Sequence, residues 1–275
     1  MPRRGVLRFI TLTRILGVLL MVATAGTGYW LINSTTFAVE PPGGVGLDYV
    51  EPDAILAEAG LAPAGRPNAF TIRTSDIRNR LLADPAIADA QVSVVLPGRL
   101  IISLTERHPV FALKRPDNSD DYLVDANGLI LATTGFGTVS MLGIPTIEDD
   151  RTQFAPEVQV GGQLDSIDLA AMLQLGALTP TLIDSGATSL ALSVGDDKGY
   201  VLTASPEGWQ AIFGEYTSTL RPTDLIPRQV QCLRSLLGAS ENDVHTIYLA
   251  PLDERCGTYL PVQTAHPSDT PNPSR

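Results

Sequence analysis

Histidine and cysteine are scarce in this chain, with three and two residues among 275. His108, His245 and His266 lie far apart, and neither Cys232 nor Cys256 belongs to a Cys-x-x-Cys pair, so no metal site of ordinary ligand spacing is encoded. Aromatic residues make up only 6%, yet 44% of the chain is hydrophobic, which suffices for small cores and excludes a disordered protein. Bases are outnumbered, 19 against 30 acids, for a net charge of -11. An acidic body of this kind repels phosphate backbones, which sets nucleic-acid binding aside.

Catalytic signatures are missing too. There is no Gly-x-Ser-x-Gly elbow, no His-Glu-x-x-His, no Ser-x-x-Lys, and Gly43-Gly44-Val45-Gly46 lacks the Gly-Lys-Ser/Thr of a phosphate loop. Asp184-Ser185-Gly186 is half of an aspartic-protease signature without the second carboxylate that chemistry needs, so it reads as a turn before a strand. Asp120-Asp121, Asp149-Asp150 and Asp196-Asp197 lack the alternating oxygen spacing of a calcium loop and read as solvated turns. His108 has no nucleophile or orienting acid arranged beside it in sequence. The expectation is a protein that is not an enzyme, with no cofactor and no small-molecule substrate.

Charge is absent from one long stretch. Residues 1–32 hold Arg3, Arg4, Arg8 and Arg14 and no acid, and from Ile15 the chain runs uncharged through Ile32 and on to Val39. That run approaches the roughly 20 residues that cross a bilayer as a helix. The arginines on its N-terminal side keep that end in the cytoplasm and send the body outward, with Tyr29 and Trp30 at the level of an interfacial aromatic belt. Ala23-Thr24-Ala25 resembles a signal-peptidase site, but the apolar run continues past it through Gly28, Tyr29, Trp30, Leu31 and Ile32, which favours an uncleaved anchor. Either reading exports the body to a compartment where disulfides persist, so Cys232 and Cys256 are either a bond tying a late helix to the C-terminal strands or two separate thiols.

Beyond a Pro/Gly spacer at 39–46, "EPDAILAEAGL" has the proline, acids and terminal glycine of a short helix. A second helix is expected over "TSDIRNRLLADP", capped by Thr74 or Ser75, with Ile77, Leu81 and Leu82 on one face. Then Ala90, Val92 and Val94 alternate with polar residues, turn at Leu96-Pro97-Gly98, and return through Leu100, Ile102 and Leu104. Period-two alternation makes this a hairpin with one buried face. Pro109 cannot donate to a ladder, so a bend or sheet edge is expected there. Further strands read at "DYLVDANGLILATT", "TSLALSV", "GYVLTAS", "DVHTIYLAPL" and "GTYLPVQ". Two helices interrupt them, one capped by Ser166 and one opened by Pro227 with Val230, Leu233 and Leu237 on a face.

Asn68, Phe70, Leu81, Pro85, Ala90, Val92, Pro97, Glu106, Arg107 and Pro109, with Phe37 and Val39 before them and "YLVDANGLIL" after, give the chain a resemblance to the bacterial cell-division family FtsQ/DivIB. The resemblance spans about residues 14–262, and departs where Ile247-Tyr248-Leu249-Ala250 stands for an Ile-Asp-Leu-Arg-like strand and where the Cys256 segment is inserted. It implies an α+β architecture: cytoplasmic residues 1–13, a transmembrane helix over 14–33, a POTRA-like domain of two helices on a three-stranded sheet over 34–107, a mostly antiparallel β domain with two helices over 108–262, and a tail over 263–275. It implies a single-pass scaffold of the division septum, whose C-terminal β domain meets FtsB- and FtsL-like membrane partners during septal peptidoglycan synthesis. Strand addition at the last sheet edge would serve that role, with Thr246, Tyr248 and Tyr259 as contact residues and Arg107 as an orienting residue between modules. The alternatives are a POTRA-containing export or assembly accessory and an anchored envelope hydrolase.

Overall fold

The computed structural model describes residues 12–39, 57, 60, 67–116, 120–134, 142–152, 158–206, 208–219, 221–250 and 256–261. The chain folds as two compact units, Met1–Glu106 and Arg107–Arg275.

The first unit opens with helix α1, Leu12–Asn33. Residues Arg14–Asn33 are long and apolar enough to cross a membrane, with mean hydropathy 1.8 and none of that stretch buried. Its few polar side chains bond their own helix: Thr24 Oγ1 donates to Leu20 O at 3.0 Å and Thr27 Oγ1 to Ala23 O at 2.8 Å. Helix α2, Thr74–Leu81, begins one residue earlier than its sequence suggests. Thr74 and Ser75 therefore fall inside the first turn, and Arg73 sits at the cap with no side-chain bond; its carbonyl accepts from the N–H groups of Asp76 and Ile77.

Strands β1, Ile87–Val95, and β2, Arg99–Glu106, form the expected hairpin, closing at Val95 opposite Arg99. Val39, Ile77, Leu81, Ile87, Ala90 and Leu100 make its core. Gly98 is needed at the tip, since a Cβ there would stand 2.3 Å from Ala38 O. Of the two helices and three strands expected, the described residues contain α2, the hairpin and an antiparallel bridge between Ala38 and Asn68. Of the helix expected over 51–61 only Ala57, which is helical, and Gly60, whose N–H donates to Ala57 O at 2.9 Å in the turn after it, are described; the spacer at 40–46 and the tail at 263–275 lie outside the described residues.

The second unit is built on one sheet: β3 Pro109–Lys114, β4 Asp121–Asp125, β5 Ile130–Thr134, β6 Thr146–Asp149, β7 Ser189–Gly195, β8 Gly199–Ser205, β9 Gln210–Gly214, β10 Val244–Leu249 and β11 Gly257–Pro261. Their order across the sheet is β11-β10-β9-β8-β7-β6-β3-β4-β5. Most neighbours are antiparallel; β3–β6, β6–β7 and β9–β10 are parallel. Two of the parallel pairs follow from helical crossovers, α3 (Ser166–Gly176) between β6 and β7 and α4 (Ile226–Ser240) between β9 and β10. Trp209, Phe213, Phe111, Met172, Ile147 and Ile183 are the buried centre.

Three sequence expectations change here. Pro109 is the buried first residue of β3 rather than a bare bend, and its missing N–H is harmless at a strand start. The cap of α3 is Asp165, whose carboxylate accepts from Ile167 N at 2.8 Å, because the helix already begins at Ser166. Two of the aspartates read as solvated turns are buried: Asp121 is 4% exposed and Asp149 is fully covered. Burial holds the Asp121 carboxyl above the ordinary aspartate range.

Candidate protein-docking edge

The last two strands owe their position to α4. Val244, Ile247 and Leu249 of β10 turn into the core that α4 covers with Leu233 and Leu237, and the crossover lays β10 parallel to β9. One buried side chain of α4 then fixes the strand ends. Gln229, 4% exposed, donates from Nε2 to Phe213 O at 3.3 Å and to Ala250 O at 3.2 Å, while its Oε1 accepts from the Tyr216 hydroxyl at 2.7 Å. Burial pushes the Tyr216 hydroxyl well above the ordinary tyrosine range, against the opposing charge of Arg221, so it remains a donor throughout the physiological span. A disulfide joins Cys232 of α4 to Cys256, the residue before β11.

β11 is the terminal strand, held by antiparallel pairing to β10 with Tyr248 opposite Thr258, Ile247 opposite Tyr259 and Thr246 opposite Leu260. Among the described residues no strand pairs with its outer side. The far edge is different: Ile130 N, at the start of β5, donates to Gly162 O at 2.9 Å and Gly161 N donates back to Ile130 O at 2.8 Å. The β11 edge also exposes apolar surface, with Tyr248 44%, Tyr259 47% and Leu260 53% accessible. An unpaired backbone row beside exposed aromatic and aliphatic groups suits an added strand from another chain.

The structure brings three of the four contact candidates together. Tyr248 and Tyr259 are exposed at the edge, whereas Thr246 is only 7% exposed, with its hydroxyl 2.9 Å from His245 Nδ1. Leu260 lies directly across from Thr246 and covers part of the same face; sequence reasoning misses it because its exposure depends on which strand ends the sheet. Arg107 lies elsewhere. Its Nη1 is 3.5 Å from Asp125 Oδ2 on β4, and that carboxylate also accepts from Asn127 N at 2.8 Å and Leu129 N at 2.9 Å, so Arg107 is tied to the β4–β5 turn.

Two further constellations brace the unit. Asp149 binds Arg151 through Nε at 2.9 Å and Nη2 at 3.0 Å and receives Arg115 Nη1 at 3.4 Å. Arg151 Nη1 continues to Asp168 Oδ2 at 2.9 Å, and the Tyr200 hydroxyl donates to Asp168 Oδ1 at 2.7 Å. Glu241, beyond α4, accepts from the Ser185 hydroxyl, Gly186 N at 2.9 Å and Trp209 Nε1 at 3.0 Å. The Asp184-Ser185-Gly186 turn is thus the docking point of a carboxylate.

Partial burial opposes ionisation of Glu241, but the Gly186, Ser185 and Trp209 bonds outweigh it and hold the carboxyl below its ordinary value of 4.5. A depressed folded value gives stability that is present above the unfolded value and lost as pH falls through the folded one. Glu241→Gln should therefore melt below the parent at pH 7, by about 1 kcal/mol after allowance for its partial exposure, with the gap closing under acid melts. A gap that persists at pH 3 would contradict the assignment. Among the described residues no three His, Cys, Asp or Glu side chains gather as a metal site.

Comparison with known proteins adds a second line. Residues 45–107 match the family described as POTRA domain, FtsQ-type. A cell division protein FtsQ of Corynebacterium glutamicum is 27% identical over 129 residues, 46% of this chain and 55% of the relative. A cell division protein DivIB of Clostridium tetani is 28% identical over 64 residues, 23% of each chain. A cell division protein FtsQ of Bradyrhizobium diazoefficiens is 37% identical over 83 residues, 30% of this chain and 23% of the relative. The matched stretches span about half the length of the first relative and about a quarter of the other two. An FtsQ-type POTRA domain, followed by an α+β unit on one large sheet and accompanied by FtsQ and DivIB relatives, supports assignment of this chain to the FtsQ/DivIB family of cell-division proteins.

Proposed function

We propose that this chain is a non-enzymatic, single-pass scaffold of the bacterial divisome, anchored by α1 with its N-terminus in the cytoplasm and its body outside. It links division proteins at the septum during septal peptidoglycan synthesis, and its C-terminal sheet receives an extended segment of a small membrane partner of the FtsB or FtsL kind. The observation that carries this reading is the β11 edge, unpaired among the described residues and flanked by Tyr248, Tyr259 and Leu260. The family relatives point the same way, since each is named a cell division protein. Arg3, Arg4 and Arg8 before α1, Arg14 in its first turn and no Lys or Arg just after it support the orientation.

In dividing cells, an N-terminal fluorescent fusion should gather as a midcell band that persists through constriction. Uniform membrane signal would count against the scaffold and favour an export accessory. The double variant Tyr248→Ala, Leu260→Lys keeps the core intact and should weaken capture of FtsB- and FtsL-like proteins by about 100-fold, because a lysine on the edge blocks pairing and a tyrosine anchor is lost. Unchanged capture by this variant would rule out the β11 edge as the docking surface.

A further inference from the structure

The stretch Asn68-Ala69-Phe70 plays no part in the β11 edge. Asn68 Nδ2 donates to Leu31 O at 2.9 Å and to Ser34 O at 3.3 Å, so a side chain from the domain that follows α1 satisfies a carbonyl left open in the last turn of the helix and shares the Ser34 carbonyl just beyond it. Backbone bonds flank this cap, Ala69 N to Phe37 O at 2.8 Å and Val39 N to Pro67 O at 2.8 Å. Three rings follow in series: Trp30 meets Phe37 edge-on at 6.4 Å between centroids, and Phe37 meets Phe70 at 5.1 Å. Despite that contact Phe70 is 48% exposed, beside Trp30 at 58% and Tyr29 at 73%. A series of ring contacts thus runs from the end of α1 to Phe70.

Depth decides what covers it. The 20 residues Arg14–Asn33 rise about 30 Å as a helix, the thickness of a bilayer's hydrocarbon layer. With Arg14 at one boundary, the other falls beside Asn33, and the headgroup layer extends roughly 5–7 Å beyond it. Phe37 and Phe70, one and two ring contacts of 6.4 and 5.1 Å from Trp30, are within reach of that layer, where aromatic side chains collect.

We propose that Phe70 is a second membrane contact: the Asn68 cap holds it against Phe37 so that the small unit rests this ring in the headgroup layer of the bilayer that α1 crosses. The inference rests on the reading of α1 as an anchor. The occupant is lipid, because the ring continues the surface of a helix that lipid surrounds on every side.

The test is photo-crosslinking of the full chain in phosphatidylcholine vesicles, with p-benzoylphenylalanine replacing Trp30, Phe70 or Tyr248 in turn; Tyr248 is a comparably exposed ring, 44% accessible, in the other unit. Lipid adducts should form at positions 30 and 70 and not at 248. Adding Asn68→Ala should cut adducts at 70 about fivefold and leave those at 30 unchanged, as expected for loss of a carbonyl cap. Adducts at 30 but not at 70, or adducts at 70 to a second copy of the chain, would overturn the contact while the anchor stands. Absence at both 30 and 70 would remove the anchor, and the contact with it.

Discussion

Asp149→Ala should lower the unfolding free energy of the second unit by about 3–5 kcal/mol, the usual cost of removing one partner from a buried ion pair. Asp149 has no exposed side-chain surface, and the guanidiniums it binds, Arg115 and Arg151, are each only 11% exposed. Truncation deprives two nearly buried cations of their shared carboxylate at the end of β6, a central strand. Arg151 would keep Asp168, which would then carry a geometry set by two acids with one of them gone. For a unit of this size the loss corresponds to a fall in melting temperature of roughly 10 °C or more. The neighbouring pair Lys114–Glu148 is the matched control: its side chains are 42% and 49% exposed, and Lys114→Ala should cost no more than about 1 kcal/mol. Urea unfolding of the two variants side by side reads the difference, and equal costs would refute the distinction between buried and solvated pairs on which the expectation rests.

The second large effect is local. Cys232→Ser, or reduction of the parent, opens a loop closed across 24 residues, for which loop-closure entropy gives about 3 kcal/mol. The loss should concentrate at β11. That strand pairs only with β10 among the described residues, and Thr258, Tyr259, Leu260 and Pro261 are all exposed, so apolar burial holds it weakly. Hydrogen exchange within Gly257–Pro261 should accelerate by about 100-fold while β7, β8 and β9 keep their protection. Capture of partners at the edge should fall in parallel. Uniform acceleration across the sheet would show that the bond stabilises the whole unit instead of its last strand.

Much of this is legible in the residues wherever one face of an element is wet. The β1–β2 hairpin alternates because one side meets the core and the other water, and Ala90 and Leu100 are buried as that pattern requires. The β4–β5 and β7–β8 hairpins show their turns plainly, and α4 shows its face through Leu233 and Leu237. Strand β3 leaves no such trace: Phe111, Ala112 and Leu113 are all buried, so "PVFALK" has no alternation to read. β6 is only four residues long, too short for a period to show.

The candidate edge is legible as strands but not as an edge. Which strand ends the sheet is set by the crossover of α4 and the disulfide, which bring together residues distant in sequence, so Thr246 reads as the equal of Tyr248 although it is covered. Asp149 is hidden for a similar reason. An Asp-Asp pair resembles a solvated turn until arginines from two other positions close over it.

The unlike ends of the sheet have a consequence for valency. At β5 the first outward backbone groups are already spoken for by Gly161 and Gly162, while β11 offers its outer row and exposed rings. A chain whose two ends matched could be extended indefinitely, each copy receiving the next as a growing ribbon. Here the open end of one copy meets a shortened ladder on another, which works against self-propagation. On the proposed reading, the described residues of each chain offer one such edge to a partner at β11, and the count of captured segments would become a count of scaffolds.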